Sequence, residues 1–366
     1  MRLVVKIGSN ILSAKEGGLD ERRMKSIADD VSRVMEAGHE VAVVSSGAVA
    51  AGVGRLGLKR RPADIRLKQA AAAVGQSQLM WLYEKVFSGN GKKVAQILLT
   101  RDVFTDRARY INSKNTILTL IGLGVVPIIN ENDTVAMDEI RFGDNDQLAA
   151  LVASLLGADR LMILSDVDGL YTSDPRHNPD ARLIPEVSEI TREMERSAGG
   201  AGSSVGTGGM YSKILAARIA MSAGISVNIL NGRKSGLLMD VLGGKRSHGT
   251  LFRAANGKLP ARKGWIAYGL KAKGRLVLDA GAEEAIVSRG KSLLPSGITG
   301  VEGDFDRGDP VYCVSSSGRR IAKGLSNYSS EEIKKIKGMK TSEIRQALGY
   351  SYSDEVIHRD NMAVLD

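Results

Sequence analysis

The stretch RLVVKIGSN, residues 2–10, decides how this chain folds. A short, almost wholly apolar run rich in valine and isoleucine gives way at once to a glycine and small polar residues. Such a run reads as a strand buried on both faces, the kind a parallel sheet uses. The polar turn behind it is where a strand hands over to a helix. Lys6 stands at the end of the run, beside that turn.

The same pattern repeats outward. EVAVVS (40–45), KVAQILL (93–99), VVPII (125–129), RLMIL (160–164) and SVNIL (226–230) are further strand candidates. Amphipathic stretches separate them: ERRMKSIADDVSRVMEAG (21–38) with a glycine C-cap, RLKQAAAAVGQSQLMWLYEKVF, TILTLIGLG, DQLAALVASLLGAD and KILAARIAMSAG. Strand and helix alternate through the first 230 residues or so. This predicts an α/β fold, a three-layer αβα sandwich with helices on both faces of a mainly parallel central sheet. After about residue 250 the runs shorten and glycines punctuate them. The expected organisation is a first domain over 1–253, a linker over 254–273, a small β-barrel-like domain over 274–353 and a C-terminal tail over 354–366.

Length fits two domains, and the composition, 43% hydrophobic and 25% charged, is that of a globular chain. No apolar run approaches the roughly 18 residues of a membrane span, and MRLVVKIGSN has no signal-peptide pattern, so the start reads as mature and cytoplasmic. The single cysteine, Cys313, excludes an intrachain disulfide and a cysteine zinc cluster and reads as a core residue of PVYCV. The net charge of +10 is spread along the chain and admits nucleic acid or anionic metabolites as partners without choosing between them.

The polar residues are more selective. Lys6 with GSN, then SSGAVAAG, NENDTV and SDVDG, each follow a candidate strand, and FGDNDQL precedes a helix. In a parallel sheet these loops share the carboxyl edge, where ligands bind in open α/β folds. A further run, GTGGMYSK (206–213), opens the next helix. Glycine-rich turns and helix N-termini suit phosphate, and Lys6 and Lys213 add cations. Asp133, Asp144, Asp146, Asp166 and Asp168 are more carboxylates than an anion site tolerates alone. Mg²⁺ bridging acids to nucleotide phosphates accounts for both, which points to phosphoryl transfer. GVGRLG (52–57) fits a dinucleotide fingerprint, but SSGAVAA intervenes after the strand and no acid follows at the required distance. AIVSRGKS (285–292) lacks the first glycine of a phosphate loop. The histidines are scattered.

Taken in order, KIGSN, SSGAVAAG, INENDTV, RFGDNDQLAALVA, LSDVDGLYT and GTGGMYSK resemble the amino acid kinase family, and within it the branch that phosphorylates the side-chain carboxylate of glutamate. The C-terminal segment is similar to a PUA domain. The resemblance implies that ATP and L-glutamate give ADP and L-glutamyl 5-phosphate, the first step towards proline, with Mg²⁺. It implies catalytic roles for Lys6, Lys213 and Asp166. It implies glutamate contacts from Ser46, Gly47, Asp133, Asn145 and Asp146. It implies an ATP site from Lys6, Gly8, Ser165, Asp166, Thr207, Gly208, Gly209, Met210, Tyr211, Ser212 and Lys213. Mg²⁺ would sit mainly on the ATP phosphates, with Asn130 and Asp146 as further candidates. It also implies a homo-oligomer (dimer or tetramer), L-proline as feedback inhibitor and a glutamyl-phosphate reductase as partner. Two alternatives stay open at this point. One is a kinase of another small acid or of a nucleotide on the same fold. The other is an RNA-binding factor working through the PUA-like domain, against which the 4% aromatic content speaks.

Overall fold

The computed structural model describes residues 1–14, 18–58, 60, 62–100, 102–135, 145–198, 209–244, 248–254 and 261–365. The chain forms two compact units, Met1–Lys258 and Leu259–Asp366. Among the described residues no helix is long and apolar enough to cross a membrane.

The first unit runs β1 (Arg2–Ile7), α1 (Ser9–Leu12), α2 (Glu21–Glu36), β2 (Glu40–Ser45), α3 (Ala48–Arg55), α4 (Ile65–Ser88), β3 (Lys93–Leu99), α5 (Asp102–Thr105), α6 (Arg107–Gly122), β4 (Val125–Glu131), α7 (Asn145–Leu156), β5 (Arg160–Ser165), β6 (Glu186–Val187), α8 (Arg192–Ser197), α9 (Met210–Ser222), β7 (Ser226–Asn231), α10 (Leu237–Leu242) and β8 (Thr250–Phe252). The eight strands lie in the order β3-β4-β2-β1-β5-β7-β8-β6. All neighbours are parallel except β7 and β8. The predicted strands and the mainly parallel sheet are therefore present. Strands β6 and β8 escape the sequence reading, being two and three residues long. The expectation that every strand is buried on both faces needs correcting for β3, which lies at the sheet edge and is partly exposed along most of its length.

Alternation along β1 sets up the site. Successive side chains of a strand point to opposite faces. Leu3, Val5 and Ile7 pack with Met24, Ile27 and Val31 of α2 and Leu79 and Tyr83 of α4 in one buried core. Each fully buried aliphatic side chain there contributes about 1.5–3 kcal/mol. Lys6 therefore points to the opposite face, towards α7 and α9. The helices on the first face have clear starts: Asp20 accepts from Arg23 N at 3.0 Å, and Asp64 from Leu67 N at 2.9 Å. Gly38, at φ +83°, takes the left-handed turn after α2.

Helices α3 and α4 cross at two glycines. A Cβ on Gly52 would lie 1.7 Å from Ala71 O, and one on Gly75 would lie 1.8 Å from Ala48 O. The first glycine of GVGRLG thus serves the helix crossing, and the rest of the motif runs from α3 into the turn after it.

The second unit contains α11 (Ala261–Gly264), a π turn over Trp265–Gly269, β9 (Gly274–Leu278), α12 (Ala280–Val287), β10 (Ile298–Gly303), β11 (Pro310–Val314), β12 (Arg320–Leu325), α13 (Ser330–Ile336), α14 (Ile344–Leu348) and β13 (Met362–Val364). Its strands form one sheet in the order β10-β9-β11-β12-β13. Leu276, Cys313, Ala322, Ile333 and Ile357 lie in its core. Residues 354–366, read from sequence as a tail, supply β13 to this sheet, a strand too short to stand out in composition. AIVSRGKS falls on the end of α12 and the turn after it, with Gly290 at φ +58°.

Candidate active site

Lys6, Lys213 and Asp146 come together in the interior of the first unit. Lys6 reaches from β1, Lys213 from the first turn of α9, and Asp146 from the second residue of α7. Asp146 has no exposed surface, and the two lysines are 2% and 5% exposed. Lys6 Nζ stands 2.6 Å from Asp146 Oδ1, and Lys213 Nζ 3.2 Å from Oδ2. Ser212 Oγ donates to the same Oδ2 at 2.7 Å. Burial alone would raise the Asp146 carboxyl, but Lys6 and then Lys213 overcome it and hold it down at about 2. The carboxylate stays ionised and is shared by both lysines.

A second side of the site lies across β2 and β4. Gly47 sits at φ +106°, a conformation other residues avoid, and lets the chain turn from Ser46 directly into α3. Asn145 Nδ2 faces Ser45 O at 2.8 Å, Ser46 Oγ at 3.1 Å and Asn130 Oδ1 at 2.8 Å. Asn130 Nδ2 donates to Gln76 Oε1 of α4 at 2.9 Å, and its Oδ1 also accepts from Glu131 N at 2.9 Å. From below, Tyr83 OH and Ser45 Oγ lie 2.7 Å apart, which ties α4 to the end of β2. Asp133 sits half-buried in the turn after β4.

The third side is the end of β5. Gly8 N donates to Leu164 O at 3.0 Å, and a Cβ on Gly8 would stand 3.1 Å from that oxygen, so the turn after β1 is close-fitting. Ser165 Oγ donates to Asp166 Oδ1 at 3.2 Å, and Asn10 Nδ2 to Oδ2 at 2.9 Å. Partial burial raises the Asp166 carboxyl, but these donors, with Lys213 nearby, hold it below the ordinary range. Lys234 stands 2.6 Å from Asp168 and holds that carboxyl low as well. A small cavity of about 230 Å³ beside it is lined by Asp168, Tyr171, Asn231, Lys234, His248 and Gly249. Gly209 precedes α9, and Met210, Tyr211, Ser212 and Lys213 form its first turn. Thr207, Gly208 and Asp144 lie outside the described residues.

Among the described residues no group of three or more His, Cys, Asp or Glu gathers to hold a metal ion. Both lone pairs of Asn130 Oδ1 are committed to Glu131 N and Asn145 Nδ2, and Asp146 already receives both lysines and Ser212. The donor set therefore fits a divalent ion that arrives on nucleotide phosphates better than one caged by these two residues. A larger cleft, about 680 Å³, lies in the second unit. Its charged lining, Asp279, Lys291, Glu355 and Arg359, is exposed or half-exposed. Exposed, solvated charges of that kind carry little of the electrostatic force that the buried lysine cluster has.

Of the residues that the sequence singles out, the structure groups Lys6, Ser46, Asn145, Asp146, Ser165, Asp166, Ser212 and Lys213 along one sheet edge. The sequence reading does not single out Asn10, Gln76, Tyr83 or Lys234, which stand beside them. Asn10 and Lys234 stand in polar turns that read as ordinary loop. Gln76 and Tyr83 are embedded in the apolar pattern of α4, and their one signal is a polar group where that helix meets the loops.

The chain matches two family models: the amino acid kinase family over residues 1–231 and the PUA domain over residues 274–348. It is 53% identical over 364 residues to glutamate 5-kinase of Geobacter sulfurreducens, covering 100% of this chain and 97% of that one. It is 51% identical over 364 residues to glutamate 5-kinase of Citrifermentans bemidjiense, with 100% and 97% covered. It is 49% identical over 366 residues to glutamate 5-kinase of a Thermoanaerobacter strain, with 100% and 98% covered. Among solved structures, UMP kinase from Bacillus anthracis aligns with a TM-score of 0.48 at 16% identity, over 70% of this chain and 97% of that one.

Proposed function

The chain belongs to the amino acid kinase family, and from that premise we propose its reaction: transfer of the terminal phosphoryl group of ATP to the side-chain carboxylate of L-glutamate. The products are ADP and L-glutamyl 5-phosphate, the first intermediate towards proline. The observation that carries this reading is the buried pair of lysines held on Asp146, between the ends of β2 and β4 on one side and the first turn of α9 on the other.

The chemistry explains the residue types. A glutamate side chain, with an ordinary pKa of about 4.3, is already ionised at neutral pH. Its oxygen can attack the terminal phosphorus without a general base. As the new P–O bond forms, the bond to the bridging oxygen breaks and its electron pair leaves with ADP. The obstacle is bringing one anion to another. Lys6 lies on the acceptor side of the transferring group and Lys213 on the leaving side, and together they offset charge spread over the phosphoryl oxygens. Mg²⁺ carried on the nucleotide would supply further charge neutralisation there. Asp146 acts through the lysines, orienting both. Ser46, Gly47, Asp133 and Asn145 hold glutamate. Gly8, Ser165, Asp166 and the run Thr207–Lys213 hold ATP, with Asp166 facing the phosphates. A homo-oligomer, feedback by L-proline, transfer of the labile product to a reductase and a cytoplasmic location belong to the same proposal.

The test is ADP release with ATP and Mg²⁺, offering L-glutamate, L-aspartate, N-acetylglutamate and UMP separately. Turnover is expected with L-glutamate alone, and Lys213→Ala should lower kcat by a factor of about a hundred or more. Turnover with another acceptor and none with glutamate would overturn the acceptor assignment. Sedimentation showing only monomer would remove the oligomer.

A further inference from the structure

We infer that Gln76 is an acceptor-binding residue whose Nε2 donates a hydrogen bond to the α-carboxylate of glutamate, an inference that rests on the reaction proposed above. The relay that ends on Gln76 has a fixed direction. Asparagine and glutamine amides can in principle face either way. Here two backbone groups remove the choice. Glu131 N can only donate, so the Asn130 atom it meets is Oδ1 and Asn130 Nδ2 faces Gln76. Ser45 O can only accept, so the Asn145 atom it meets is Nδ2. Asn130 Nδ2 then demands an acceptor, which must be Gln76 Oε1. That leaves Gln76 Nε2 as a donor, and it is buried with no hydrogen-bond partner among the described residues. An unpartnered buried amide costs about 1–3 kcal/mol. A ligand carrying an acceptor atom would recover that cost.

The backbone holds Gln76 in this position. Its neighbour Gly75 presses on α3 so closely that a Cβ there would meet Ala48 O and Gly52 N. α3 in turn begins straight after Ser46 and Gly47. Gln76 is therefore mounted on the same rigid contact as the acceptor loop.

Sheet order says which carboxylate it meets. Lys6 lies on β1, Ser45 on β2 and Asn130 on β4, in adjacent positions. At about 4.8 Å per strand, the Asn130–Gln76 end of the relay is on the order of 10 Å from the strand that carries Lys6. The side-chain carboxylate must be at the lysines to be phosphorylated. The far end of an extended glutamate, its α-carboxylate, then lies over β4 and within reach of a donor on α4.

Two substitutions separate this from a structural role. Gln76→Glu keeps an oxygen for Asn130 Nδ2 and replaces the donor with a second carboxylate oxygen. Gln76→Met removes both. If Gln76 binds the α-carboxylate, KM for glutamate should rise roughly tenfold in Gln76→Met and roughly a hundredfold in Gln76→Glu at pH 8, with KM for ATP little changed. If it only holds Asn130, the order reverses and Gln76→Glu is the milder variant. A second readout needs no charge inside the protein. Wild type should prefer L-glutamate over its α-amide, and Gln76→Met should narrow that preference. An unchanged ratio, or Gln76→Glu equal to wild type, would overturn the inference while leaving the reaction standing. Wild-type enzyme that does not phosphorylate glutamate would overturn the reaction itself.

Discussion

Replacing Asp146 with asparagine should remove the carboxylate that two buried lysines share. The side chain keeps its shape and loses its charge, so the effect is electrostatic. One scale follows from the carboxyl itself: its pKa is held at about 2 against an ordinary value near 3.9, which corresponds to about 2–3 kcal/mol of stability at neutral pH. A second is the cost of removing one partner of a buried ion pair, about 3–5 kcal/mol. At about 2–4 °C per kcal/mol for a unit of this size, the melting temperature of the first unit should fall by roughly 4–20 °C. The assay is thermal melting followed by circular dichroism, with kcat measured on the folded variant. The sign with pH is also defined. A carboxyl held low contributes stability that is complete above about pH 4 and lost as pH falls towards about 2, so the variant should lack the part of the acid sensitivity in that window. The double variant Lys6→Met/Asp146→Asn removes one of the two like charges together with the carboxylate, and it should melt higher than Asp146→Asn alone. A single variant that melts like wild type and retains kcat would refute the argument that Asp146 holds the lysines.

Other outcomes follow from particular contacts. Gly75→Ala forces α3 and α4 apart, because its Cβ would fall 1.8 Å from Ala48 O and 2.3 Å from Gly52 N. It should cost about 1–3 kcal/mol in a chemical denaturation curve and raise KM for glutamate more than for ATP. Burial pushes the Cys313 thiol up to about 12, so the folded enzyme should resist iodoacetamide, with labelling by mass appearing only in denaturant. Lys323 is buried in the second unit, where Nζ donates to Ala267 O at 2.9 Å and to Leu270 O. Burial, helped by Arg320, lowers its pKa to about 8. A lysine held low binds its proton less well when folded, so this unit should gain stability as pH rises from about 8 towards about 10.4. Melts across that range should show the gain in wild type and not in Lys323→Met.

Repetition made most of the fold legible. Apolar, β-branched runs such as RLVVKI and RLMIL have no other stable use than a strand covered on both faces, and helical periodicity between them leaves only a layered parallel sheet. The elements that escaped reading, β6, β8 and β13, are two or three residues long. They exist because a longer neighbour offers unpaired backbone groups, which no local pattern records. At the site, Lys6, Ser46, Asn145, Asp166 and Lys213 could be read because they stand in or beside loops at strand ends, where a parallel sheet collects polar residues on one edge.

The sequence by itself determined which groups would meet at that edge, and that they were suited to phosphate and carboxylate. Only the tertiary structure decided which atoms of these groups meet. Asp146 reads locally as a helix-start acid that could face substrate. In the fold it lies beneath two lysines from distant segments, 140 residues before it and 67 after it. Gln76 reads as one polar residue in an apolar helix, and it becomes a directed donor only because Glu131 N and Ser45 O orient the amides between them. Both assignments depend on which atoms lie within hydrogen-bond reach through space. That distance is set by the packing of α4, α7 and α9 on the sheet, and the order of residues along the chain does not contain it.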